Sequence, residues 1–179
     1  AMMRQPHTKE AIPFKEVVID NSAIIKAANY DMGEKGIAYQ DNVAANYYIS
    51  TGGERQSWNN GRTYRNDGVD IFPLEQRKHY DDVYVGDTEA GEWLQYTFTV
   101  SESGNFELNF RTAASVEGKA SLEINKNKIP AFEIPNSRDS WTNVKIQNIP
   151  LQKGQNKIKF FVEDGGFKLE RISFNRQKL

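Results

Sequence analysis

The sequence predicts an all-β fold, a sandwich or barrel of short strands, on three observations. Apolar and polar residues alternate with a period of two through the second half of the chain. Turn residues separate these stretches at near-regular spacing. No long stretch carries the helical period.

The strands follow in order. From Glu92 to Val100, Leu94, Tyr96, Phe98 and Val100 fall on one face; Trp93, Gln95, Thr97 and Thr99 fall on the other. Ser103-Gly104-Asn105 makes a turn. Phe106, Leu108 and Phe110 then alternate with Glu107, Asn109 and Arg111, and Leu122 and Ile124 with Ser121, Glu123 and Asn125. Val144 and Ile146 begin another strand. Lys153-Gly154-Gln155-Asn156 turns the chain into Ile158, Phe160 and Val162, and Asp164-Gly165-Gly166 turns it into a last strand, Phe167 to Phe174. The stretch from Gln40 to Arg65 is rich in Asn, Gly, Tyr and Ser. It reads as a long loop, and loops of that length are usually functional.

The 179 residues suit one domain, with residues 1–13 as a polar tail or linker and residues 14–179 as the sandwich. The start, Ala1-Met2-Met3, is expected to belong to a fragment of a longer protein. A net charge of -1 supplies no basic footprint for nucleic acid. The absence of cysteine excludes disulfides and thiolate metal sites. No apolar run approaches the ~20 residues that cross a bilayer.

No constellation carries catalysis. The histidines are His7, in the tail, and His79. No metal-binding His-Glu-x-x-His, phosphate loop or nucleophile elbow is present. A glycosidase needs two carboxylates facing each other across a cleft. Glu89 and Glu92 qualify by composition only, and read better as solvated strand-end groups. Asp67 and Asp70 flank Gly68-Val69 in a segment where Asp usually bonds backbone.

Several segments carry a family resemblance. They are Gly36-Ile37-Ala38-Tyr39-Gln40-Asp41, Tyr64 through Ile71, Val85 through Tyr96, Pro135-Asn136, Trp141-Thr142-Asn143-Val144 and Asp164-Gly165-Gly166-Phe167. In order and spacing, from about Ile24 to Phe174, they resemble family 6 carbohydrate-binding modules. The resemblance implies a β-sandwich jelly roll that tethers glycoside hydrolases to polysaccharide. It also implies an edge site where two rings clamp a sugar and an Asn bonds it. Here the matching positions are Asp87, Arg138 and Lys168. These charged residues form either a polar site for an acidic or decorated sugar or a solvated ion cluster. The resemblance further implies a structural calcium. Its first-strand ligand positions are Lys26 and Ala28, which argue against the ion, and Glu170 is the one family-like ligand retained. Lys26 is expected to pair with Glu170.

Two other regions offer rings. Trp93 stands on a polar strand face with Gln95, and Glu123 lies on the polar side of another strand. Trp93 is either a stacking platform or packed under the long loop. In that loop, Trp58 and Tyr64, with Tyr47, Tyr48, Asn59, Asn60 and Arg62, either meet sugar or pin the loop. Trp141, just before a strand, reads as structural. The expected function is non-catalytic binding of polysaccharide or oligosaccharide by a secreted, periplasmic or cell-surface protein. A linked or neighbouring glycoside hydrolase domain would be its partner, with no cofactor. The alternative is an interaction domain whose sugar sites have eroded.

Overall fold

The computed structural model describes residues 10–42, 60–61, 63–65 and 67–178. The strands are β1 (Val18–Ile19), β2 (Ser22–Lys26), β3 (Tyr39–Gln40), β4 (Ile71–Pro73), β5 (Val83–Val85), β6 (Trp93–Val100), β7 (Gly104–Ala114), β8 (Gly118–Ile124), β9 (Asn127–Ile134), β10 (Thr142–Leu151), β11 (Gly154–Asp164) and β12 (Phe167–Arg176). One 3-10 turn, Ala27–Asn29, follows β2. One sheet runs β1-β6-β11-β8-β9, with β3 also on β6. The other runs β10-β7-β12-β5-β4, with β2 on β12. The chain changes sheet from β6 to β7, β7 to β8, β9 to β10, β10 to β11 and β11 to β12, which gives the jelly-roll sandwich.

The alternation read in the sequence builds the core. Leu94, Tyr96, Phe98 and Val100 are buried, as are Phe106, Leu108 and Phe110. Phe98 packs on Phe174 at 5.1 Å and Phe160 on Phe110 at 5.4 Å, so rings from the two sheets interlock.

Three features depart from the strand pattern. Asp31 fills the gap on the edge of β6 between β3 and β1. Its carboxylate accepts from the Thr97 amide at 2.8 Å, the Thr97 hydroxyl at 2.6 Å and Gln95 Nε2 at 2.9 Å. Gln95 and Thr97 are therefore buried although they lie on the polar face. Arg65 is also buried. Its guanidinium lies 3.5 Å from the Tyr30 ring centroid and 4.4 Å from that of Phe14. It donates to the carbonyls of Ala28, Tyr30 and Asp31, and pairs with Asp67 at 3.6 Å. Lastly, Ile12 exchanges both backbone bonds with Met32, so the folded body takes in residues placed in the expected tail.

The free edge of the first sheet is β9. Its pairing with β8 slips between Ala120 and Leu122, and Pro130 sits in that irregularity.

Candidate functional site

The outer face of the first sheet carries the ring of interest. Core residues Leu94, Phe160 and Leu122 alternate with Trp93, Phe161 and Ser121, so the latter three face away from the core. Register places Phe161 opposite both Trp93 and Ser121, and Lys159 opposite both Gln95 and Glu123. The Trp93 and Phe161 centroids are 6.3 Å apart, and Lys159 Nζ lies 4.4 Å from the centre of the indole. Trp93, Phe161, Lys159 and Glu123 are all half-buried. The structure thus joins Trp93 and Glu123 across β11 through two residues not singled out in the sequence. Gln95 is removed from the group, because its amide is committed to Asp31. The signal for Phe161 and Lys159 was their alternation with Phe160, but only strand pairing brings them to Trp93.

The three charged edge positions do not form one cluster. Lys168 Nζ donates to Asp139 at 2.9 Å, and that bond raises its pKa. Asp87 accepts from Asn60 Nδ2 at 2.8 Å. Arg138 is exposed, and its amide donates to Asn136. Asp87, Arg138 and Asp139 all have positive φ, at 45°, 53° and 60°, so these loops turn sharply under their side chains.

Tyr64 is half-buried. Its hydroxyl donates to Asn29 at 2.6 Å, its ring packs on Phe14 and Tyr80, and burial pushes its pKa up to about 12. It ties residue 64 to the body. Trp58, Tyr47, Tyr48, Asn59 and Arg62 lie outside the described residues, as does His7.

The carboxylates considered for catalysis serve the loop. Glu92 accepts from the amides of Asn42 and Glu89, and burial raises its pKa. Glu89 accepts from Asn42 Nδ2 at 3.0 Å. Asp67 accepts from the Val69 amide and the Tyr30 hydroxyl.

The positions that the resemblance gives to calcium ligands make other contacts. Lys26 pairs with Asp81 at 2.9 Å and donates to the Asp81 carbonyl at 2.8 Å, not to Glu170 as expected. The reason is register. Lys26 lies opposite Arg171, while Glu170 is the extra residue of a bulge against β7 and reaches Arg111 at 2.6 Å. Ala28 offers no side-chain oxygen. Among the described residues, no three His, Cys, Asp or Glu gather as metal ligands.

No curated protein sequence matches the chain. Among solved structures, the C-terminal family 6 module of LamC, a laminarinase from Zobellia galactanivorans, is similar with a TM-score of 0.59 and 18% identity, covering 87% of this chain and 100% of its own. A family 6 module of Clostridium stercorarium in complex with cellobiose gives 0.61 and 11%, covering 90% and 98%. The family 35-bearing mannanase of Podospora anserina gives 0.54 and 16%, covering 90% of this chain and 29% of that one. At these identities the likeness is one of fold. Residues 65–173, more than half the sequence, match the carbohydrate binding module (family 35). The family differs in number from the one the motifs resemble, while the activity is the same, carbohydrate binding without catalysis. The chain belongs to carbohydrate-binding module family 35.

Proposed function

We propose that this module holds a polysaccharide-degrading domain against its glycan, and that the sugar lies on the Trp93 face of the first sheet. One observation carries the reading: an indole stands half-exposed on a rigid sheet beside a second ring, with a cation and a carboxylate in the same patch. The axial C–H face of a pyranose is apolar and stacks on a ring, while its hydroxyls need a donor and an acceptor. Lys159 supplies the donor and Glu123 the acceptor. The family 6 structures with cellobiose and with the cellotriose of a Cellvibrio mixtus lichenase module support a β-linked glucan as first ligand to try. Weak affinity at such a site is raised by linkage to a catalytic domain, and such work is done outside the cell. The reading includes no structural calcium, because a lysine, Lys26, stands at a position that the resemblance gives to an ion ligand.

Affinity electrophoresis through gels of soluble β-glucan and mannan tests the site. Trp93→Ala is expected to weaken binding by tenfold or more, as removal of a central ring does, with no loss of fold. Unchanged retardation of that variant would place the sugar elsewhere.

A further inference from the structure

The second sheet carries an aromatic surface of its own. Phe72 lies between buried Ile71 and exposed Pro73, and Tyr84 between buried Val83 and Val85, so both rings point away from the core. They stack at 5.5 Å with 19° between planes. Trp141, the residue before β10, meets Tyr84 edge-on at 5.5 Å. The result is a row of three half-buried rings crossing the outside of the sheet opposite to the one that holds Trp93.

Two further observations mark the row as more than incidental cover. Gly86 lies beneath it: a methyl group there would come within 3.0 Å of the Phe72 ring and 3.1 Å of the Tyr84 ring. The missing side chain lets both rings lie close on the backbone. The row is also flanked by two ion pairs. Lys168, held by Asp139, lies 5.5 Å from the centre of Tyr84, and Arg111, held by Glu170, lies 5.8 Å from that of Trp141. Rings beside fixed donors and acceptors suit an amphipathic ligand.

We propose that Phe72, Tyr84 and Trp141 form a second glycan-binding surface, and that the module therefore holds two glycan chains, one on each sheet. The ligand class is a neutral glycan. Both cations already have carboxylate partners, so hydroxyl groups can share these pairs, whereas a uronate would have to displace Asp139 or Glu170. The inference extends the reading of the Trp93 face but stands on different residues.

The test is calorimetry with cellohexaose and mannohexaose, joined to NMR of the tryptophan indole N–H signals. The wild-type protein is expected to bind two oligosaccharides and to shift the signals of both Trp93 and Trp141. Trp93→Ala, a surface change, should keep one site and a shifting Trp141 signal, and adding Trp141→Ala should reduce the remaining affinity at least tenfold. A Trp93→Ala protein that no longer binds overturns the second surface and leaves the first standing. If Trp93→Ala binds as the wild type does and the Trp141 signal moves, the first surface fails and the second stands. A Trp141 signal that ignores ligand overturns the proposal without any variant, and preference for alginate over neutral oligosaccharides overturns the ligand class.

Discussion

Arg65 holds residues 28–31 from within. Its charge is buried with Asp67 and collected by three carbonyls between two rings. Removing one partner of such a pair leaves the other charge uncompensated, so Arg65→Ala should lower unfolding free energy by about 3–5 kcal/mol, read by urea denaturation. Tyr64 gives a pH signature. Its folded-state pKa of about 12 lies above the usual value of 10.0. Its contribution is therefore complete below pH 10 and lost as pH rises through 12. The melting temperature should fall over that interval, and Tyr64→Phe should flatten part of the fall. Neither role was legible from composition. The sequence placed Tyr64 in a sugar-facing or loop-pinning group, and its bond to Asn29 favours pinning.

At the scale of elements, period-two alternation made β6, β7, β8, β11 and β12 readable, because one face of each must enter the core. It gave no hold on β4 and β5, which are three residues each and wholly apolar but for the tyrosine hydroxyl. Phe72 and Tyr84 show no pattern for that reason, and Trp141, just before a strand, reads as structural from the sequence. Trp93 was found, but its partners depend on β11, some sixty residues on, pairing with both β6 and β8. Pairing also redirected Lys26. Because its ion pair with Asp81 is a quarter to a third exposed, Lys26→Ala should cost only about 0–1 kcal/mol. Neither chelator nor added calcium should move the melting temperature, and a calcium-dependent rise would contradict the assignment. Gly118 is less tolerant. A methyl there would meet the Phe167 ring at 2.8 Å and the Asp164 carbonyl at 2.9 Å, so Gly118→Ala should destabilise by about 1–3 kcal/mol in the same assay.

For the whole molecule, the two proposed surfaces would put a glycan on each side of the sandwich. Such modules would gather densely wherever glycan is abundant, and gathering brings unpaired strands together. The exposed flank of β9 answers that hazard. Pro130 has no N–H to offer a neighbouring strand, and exposed Lys128 and Glu133 place charge beside it. These features would oppose strand pairing between crowded copies. Replacing Pro130 with Val should leave sugar binding intact and raise light scattering when the protein is concentrated, the mark of an edge that has lost its guard.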